Sequence, residues 1–320
     1  MENDKKIATS RYTLMRAFMK QQFKHVALAL GLTTSIAACH SGPTSTFTDT
    51  ETSGTIHISV DETYKPLIDS EIRVFESLYP KAHIIADYKP EQDCFADLLA
   101  DSTRMIIVTR ELSEKETQFI KDQKDHIVPS GLRLAWDAVA LVVNKQAKDS
   151  IFNMDQLHDI MSGKDSSWQL VFDNEKSSTV RYIRDSINQG KPLPAGTMAA
   201  KTNPEVIDYV VKNKKAMGLI GVSWISDTAD STSIDFTNRV NVVKLRADGY
   251  TEYVQPYQYY IGTGAYPLKR SLWYNLKEPH QGLGTGFATF LGSQEGQLLI
   301  GRFKLFPARM NILFKTVNLK

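Results

Sequence analysis

The chain predicts an α/β architecture in two lobes, and three observations carry that expectation. Between residue 56 and about residue 121, short apolar runs that end in polar loops alternate three times with amphipathic helical stretches, the pattern of a parallel sheet with crossover helices. The length from about residue 55 to residue 320 exceeds that of a typical single domain. Residues 136–144 (WDAVALVVN), the most hydrophobic run after residue 39, read as a long strand leaving the first lobe.

Taken in order, residues 56–60 (IHISV) form a short strand that stops at Asp61-Glu62-Thr63-Tyr64. A helix follows from Lys65, with Pro66 in its first turn and Leu67, Ile68, Val74, Phe75 and Leu78 on its apolar face. Residues 83–88 predict a second strand, 91–100 a second helix, and Met105–Val108 (MIIV) a buried third strand. After Thr109-Arg110, Ser113 and Glu116 make a capping box that starts a third helix. Beyond the 136–144 strand come a helix over 154–162, a strand at Gln169–Phe172 and a helix over 179–188. Asn203 reads as the cap of a further helix and Pro204 as its first residue. Residues 218–224 and 240–245 read as strands, 266–274 as the return crossing, and 287–302 as one closing amphipathic helix.

The first residues read as an address. In 19–39 (MKQQFKHVALALGLTTSIAAC), Lys20 and Lys24 flank a short apolar core, and Ile36-Ala37-Ala38 leads to Cys39. This is the order of a secretory signal peptide, with an apolar run too short to span a bilayer permanently. Cysteine directly after Ile-Ala-Ala resembles a bacterial lipobox, which makes Cys39 the lipidated first residue of the mature chain. An ordinary cleaved signal with an incidental cysteine is the alternative. Residues 1–18 add nothing to the signal, so Met15 and Met19 are alternative starts. Residues 44–54 (TSTFTDTETSG) read as a flexible tether. The expected organisation is therefore a signal peptide at 1–38, lipidated cysteine and tether at 39–54, lobe 1 at 55–140 with 264–320, and lobe 2 at 141–263.

The chain is formally +2, and residues 1–38 hold six Lys/Arg against two Asp/Glu. Removing that +4 leaves −2 for the mature part, which offers no broad basic footprint for nucleic acid. Any anion it binds is held by a local site. With Cys39 lipidated, Cys94 has no disulfide partner and reads as a buried structural thiol.

Enzyme motifs are mostly absent: there is no GxSxG, HExxH or P-loop, and the scattered histidines have no metal-ligand spacing. Gly282-Leu283-Gly284-Thr285-Gly286 reads as a loop before the last helix, not as a dinucleotide site. No cofactor and no metal are expected. What remains is a set of polar loops at strand ends, where α/β sheets gather ligands. Ser177-Ser178-Thr179 stands at one such end with Arg181 in the first helical turn, an arrangement suited to a dry oxyanion. A plain Ser/Thr helix cap is the simpler reading of that loop alone. Thr63-Tyr64 and Thr109-Arg110 occupy equivalent positions in the first half. Trp168 and Trp224 read as core residues.

With these segments in order, the chain resembles the phosphate-binding proteins of Pst-type ABC importers, among the type II periplasmic binding proteins. The similarity covers nearly all of residues 55–310: DETYKPLI, IIVTREL, WDAVALVVN, DQLHDIMSGKDSSW, GLIGVSW, AYPLKRSLWY and FATFLGSQEGQLLIGRFKLFPA match in sequence order. Ser177-Ser178-Thr179 stands where that family has Ser-Gly-Thr. The resemblance implies two α/β lobes joined by two crossing strands, with phosphate or a similar oxyanion in the cleft. Its ligand contacts would be Thr63, Tyr64, Thr109 and Arg110 from one side and Ser177, Ser178, Thr179 and Arg181 from the other. It further implies an ABC permease in the inner membrane as partner, a membrane anchor through lipid on Cys39, a periplasmic or cell-surface location, a monomer, and no catalysis.

Two departures bear on the ligand. The best-known members carry an arginine four residues before the serine of Ser-Gly-Thr, where this chain has Asp173; in some, the first-lobe loop ends in an aspartate, where this chain has Arg110. The charges read as swapped across the cleft, with Arg110 as cationic grip and Asp173 as acceptor for the proton of hydrogen phosphate. Asp137 is matched at the lobe crossing as a structural or ligand-contacting residue. A non-transport sensing or scaffolding lipoprotein with a degenerate site is the second expectation. A surface hydrolase using Ser177 or Ser178 is a distant third.

Overall fold

Three parallel strands and their crossovers build the first part of the sheet, as the apolar runs predict. The computed structural model describes residues 48–123, 126–226 and 231–309, so the signal peptide, Cys39 and the tether up to residue 47 lie outside the described residues. Strand β1 (Ser53–Asp61) lies between β2 (Lys81–Lys89) and β3 (Met105–Val108), parallel to both. Ile56, Ile58 and Val60 on β1 and all four residues of β3 are buried, because helices cover the sheet. Helix α1 (Lys65–Leu78) follows a 3-10 turn at Glu62–Tyr64; α2 (Glu91–Leu99) precedes β3, and α3 (Glu114–Lys121) follows it. The α3 capping box is formed: Glu116 N donates to Ser113 Oγ over 3.3 Å, and Ser113 N donates back to Glu116 Oε2 over 2.7 Å.

The strand that joins the halves is β4 (Ser130–Asn144), which begins at Ser130 and not at Trp136. Its residues 130–138 pair antiparallel with β11 (Lys269–Leu276), and 139–143 with β8 (Ala216–Gly221). β8 runs parallel to β6 (Gln169–Phe172), which carries the edge strand β7 (Met198–Ala199). The sheet order is β2-β1-β3-β11-β4-β8-β6-β7, with β9 (Val240–Val242) and β12 (Phe306–Pro307) added on β4. β5 (Ile151–Asn153) and β10 (Lys244–Arg246) form a separate parallel pair. The other helices are α4 (Met154–Met161), α5 (Ser178–Tyr182), α6 (Asn203–Lys212), α7 (Ser231–Arg239), α8 (Gln258–Thr263), α9 (Leu283–Leu291) and α10 (Gln294–Arg302). One large apolar cluster runs along β4 from Ile58 and Phe75 to Leu157 and Met217, and the described residues from Asp49 onward pack as one unit. Among the described residues, no helix is long and apolar enough to cross a membrane.

Several boundaries differ from the expectation for local reasons. The cap of α6 is Thr202, whose hydroxyl accepts from Glu205 N over 3.4 Å; Asn203 is the first helical residue, and its side chain is free to act elsewhere. The 218–224 strand stops at Gly221 and turns into a 3-10 segment at Val222–Ile225. The 240–245 run divides, with Lys244–Arg246 leaving the main sheet to pair with β5. The closing helix is two helices, because Ser293 caps a new start with its hydroxyl on Gly296 N. The 282–286 segment itself enters α9. Glu278 accepts from Gly284 N and Thr285 N, and Asp49 accepts from Leu283 N, so two carboxylates cap that helix. A Cβ at Gly286 would stand 1.8 Å from Glu51 O, so the chain entering β1 packs here only against glycine.

Candidate functional site

On β11 the side chains of Arg270 and Leu272 are buried while those of Lys269 and Ser271 are half-buried, which puts a guanidinium on the inward face of a strand. The antiparallel register sets Asp137 of β4 directly opposite Arg270. Arg270 Nε donates to Asp137 Oδ2 over 2.7 Å, with the side chains 3% and 0% exposed. Tyr64 OH donates to the same oxygen over 2.8 Å. Arg270 Nη1 donates to Ser178 Oγ over 3.0 Å and Thr179 Oγ1 over 3.3 Å. Burial works against the arginine's charge, but Tyr64, Asp137 and Asp61 outweigh it, and the group stays a cation. Its remaining nitrogen, Nη2, has no protein partner, and neither has Thr63 Oγ1. Arg270 Nη2 and the Thr63 methyl stand at Gly221, where a Cβ would lie 3.5 Å from Nη2 and 2.2 Å from Thr63 Cγ2.

A second ion pair closes the neighbouring edge. Arg181 Nε donates to Glu91 Oε2 over 2.6 Å, and Nη2 donates to Thr109 Oγ1 over 2.5 Å. Thr109 donates to Glu91 Oε1 from its backbone N over 2.8 Å and from its hydroxyl. Burial alone would raise the Glu91 carboxyl, but Arg181 and these hydrogen bonds bring it below the usual range.

A carboxylate group lines the third side. Burial, with Glu91 nearby, pushes Asp61 up to about 7. Burial and Asp173 push Glu62 up to about 8. Asp173 is raised by burial too, although Ser177 opposes the shift. Asn203 Nδ2 donates to Glu62 Oε2 over 2.5 Å and Asp173 Oδ2 over 3.4 Å, while Asn203 Oδ1 accepts from Gly221 N over 3.2 Å. Ser223 Oγ donates to Thr63 O over 2.7 Å. Segments from both ends of β4 therefore meet through buried polar contacts.

Of the residues singled out in the sequence, Thr63, Tyr64, Thr109, Asp137, Asp173, Ser177, Ser178, Thr179 and Arg181 belong to this cluster. Ser177 is also the helix cap of the simpler reading, with its hydroxyl accepting from Val180 N over 3.3 Å. Arg110 is engaged elsewhere: it makes a two-pronged pair with Glu116 at 2.8 and 2.9 Å and stacks 3.6 Å from the Phe95 ring centroid. The guanidinium on Ser178 and Thr179 belongs to Arg270, which the sequence reading passed over inside the return crossing. Asp61, Glu91 and Asn203 were passed over as well. An arginine at an apolar-facing position of a strand, and an aspartate ending a buried one, were the signals available. Cys94 is buried and its thiol is pushed up by burial; Trp168 packs edge-on against Phe152 and Trp224 is buried beside Phe236. Among the described residues no group of three or more His, Cys, Asp or Glu could hold a metal.

Residues 45–295 match the PBP superfamily domain. The chain belongs to the PBP superfamily. No curated protein matches it significantly. Among solved structures, this PBP chain is similar to a Clostridium perfringens protein assigned as a phosphate ABC transporter substrate-binding protein, with bound phosphate. The TM-score is 0.66 at 18% identity, covering 80% of this chain and 100% of that one. An ABC-type phosphate transport receptor from Vibrio cholerae gives 0.58 at 17% identity, covering 79% and 100%. An OxyR variant from Corynebacterium glutamicum gives 0.51 at 14%, covering 88% and 74%, so the fold alone does not choose a ligand.

Proposed function

We propose that this PBP chain is an extracytoplasmic substrate-binding lipoprotein that captures inorganic phosphate, or a related tetrahedral oxyanion, and delivers it to an ABC importer in the inner membrane. The observation that carries the reading is the buried Arg270 guanidinium. It is fixed by Asp137, Ser178 and Thr179 and leaves Nη2 unpartnered, as Thr63 Oγ1 also is, where segments from both ends of β4 converge. A planar cation and hydroxyls, held rigidly out of water, are the chemistry that grips an oxyanion. The bound phosphate of the Clostridium protein supports the ligand class.

In this reading the lobes are 55–140 with 264–320 and 141–263, and lipid on Cys39 anchors the protein to the membrane as a monomer. The Asn203–Glu62, Ser223–Thr63 and Arg181–Glu91 contacts act as closure contacts, made when both lobes reach the same ion. Asp173 keeps the acceptor role for the ligand's proton, and Arg270 replaces Arg110 as the cation. No covalent chemistry is required; Ser178 accepts from an arginine, a binding contact. Titration of purified protein with phosphate, sulfate and molybdate tests the proposal: phosphate binds and sulfate is rejected. Asp173→Asn weakens phosphate and relaxes the rejection of sulfate; unchanged selectivity removes Asp173 from the role. The three carboxylates Asp61, Glu62 and Asp173 favour one other reading, a sensing or scaffolding lipoprotein, which failure to bind any of these oxyanions would select.

A further inference from the structure

Besides Asp137, whose Oδ1 is also without a protein partner although Arg270 and Tyr64 hold its Oδ2, two carboxylates in the cluster each keep one oxygen with no protein hydrogen-bond partner, Asp61 Oδ2 and Asp173 Oδ1. The residues are 0% and 2% exposed. Their other oxygens are engaged: Thr63 N donates to Asp61 Oδ1 over 3.0 Å, and Asn203 Nδ2 to Asp173 Oδ2. An ionised carboxylate oxygen can only accept, and leaving one buried without a donor is costly. The Ser178 hydroxyl stands near Asp61 and the Ser177 hydroxyl near Asp173, and a ligand that brings hydrogens of its own would complete both acceptors.

The charges around the pair say the same. Asp61 faces Glu91 and the Cys94 thiol of α2, Tyr64 of the 3-10 turn, Ser178 of α5, Arg270 of β11 and Asp173. Asp173 faces Glu62, Ser177, Asn203 and Arg270. Arg181 is paired with Glu91, and Arg270 with Asp137. Asp61, Glu62 and Asp173 thus share the cleft with cations already matched to other carboxylates. A dianion with no hydrogen, such as sulfate, could reach Arg270 Nη2 but would leave two buried acceptors facing its own lone pairs.

We propose that Asp61 and Asp173 together accept hydrogen bonds from two hydroxyls of the ligand, so that the cleft takes phosphate as its dihydrogen monoanion, with the bare oxygens on Arg270 Nη2 and Thr63 Oγ1. This rests on the oxyanion-capture reading above and adds to it a second acceptor and a second proton. Burial already draws protons to this corner near neutral pH, since Asp61 is pushed up to about 7 and Glu62 to about 8.

The test is calorimetric titration of the purified protein with phosphate, in buffers of differing ionisation heat, which reads affinity and proton uptake together. At about pH 8, binding takes up about one proton per phosphate, and above the second ionisation of phosphate the affinity falls about tenfold per pH unit. Asp61→Asn puts an amide donor where an acceptor stood, so the proton uptake is lost and sulfate competes. Asp173→Asn gives the same outcome by a separate route, should one variant fail to fold by circular dichroism. Phosphate binding of equal affinity at about pH 6 and about pH 8 with no proton uptake overturns the inference and leaves oxyanion capture standing. An Asp61→Asn protein that keeps wild-type uptake and sulfate rejection removes Asp61 from the role. No phosphate binding at any pH overturns the oxyanion reading itself, and the inference with it.

Discussion

Arg270→Met separates what the central arginine does for the fold from what it does for the ligand. Removing the guanidinium leaves Asp137, fully buried, with only the Tyr64 hydroxyl among its described donors. It also withdraws the donor that Ser178 and Thr179 share. Breaking a buried ion pair from one side costs about 3–5 kcal/mol, because a buried charge is left uncompensated. At about 2–4 °C per kcal/mol for a domain of this size, the melting temperature falls by about 6–20 °C. Adding Asp137→Leu removes the stranded carboxylate, and most of that loss returns, since an apolar pair replaces a buried ionic one at little cost. Phosphate binding does not return, because Nη2 is gone in both variants. Circular-dichroism melts and phosphate titrations on wild type, single and double variants read the two effects apart. A single variant that melts with wild type, or a double variant that binds phosphate as wild type does, refutes the assignment.

Gly221→Ala places a methyl 2.2 Å from Thr63 Cγ2, with no backbone strain because φ is −70°; it holds Thr63 off the cleft and lowers phosphate affinity at least about tenfold, about 1.4 kcal/mol, by the same titration. Arg110→Ala removes the pair with Glu116 and the Phe95 stack, both at the half-exposed start of α3; it costs about 1 kcal/mol or less in thermal melts and leaves phosphate affinity unchanged. Glu71 is buried with neither carboxylate oxygen partnered, and burial pushes it up to about 9. The folded state thus holds a proton that the unfolded state gives up near its ordinary carboxylate pKa, so stability falls as pH rises between those two values. Glu71→Leu removes that slope and gains on the order of a few kcal/mol at about pH 8, with little gain at about pH 4; a gain equal at both pH values contradicts it.

The alternation of apolar runs and capped helices made the sheet legible, because burial on both faces of parallel strands writes MIIV and WDAVALVVN directly into the sequence. The Ser113 and Glu116 spacing fixed the start of α3 for the same local reason. Where the reading slipped, the deciding contact was distant in the chain. Thr202 displaces Asn203 as a cap because Asn203 bonds Glu62, Asp173 and Gly221, partners no local pattern shows. The loops Thr63-Tyr64 and Ser177-Ser178-Thr179 were visible as donors at strand ends, but the cation joining them was not. Arg110 stands just past Thr109 at the end of β3, a position suited to ligand, yet Glu116, already required by the capping box, lies within its reach. Arg270 pairs with Asp137 only through an antiparallel register that the two segments do not announce separately.

An oxyanion seated at Arg270 is tested most directly by diffraction at the arsenic edge from crystals grown with arsenate, a tetrahedral stand-in for phosphate. The expected result is one anomalous peak per chain, within hydrogen-bonding distance of Arg270 Nη2 and Thr63 Oγ1 and between Asp61 and Asp173. A peak bound elsewhere, or a closed cleft with none, contradicts it.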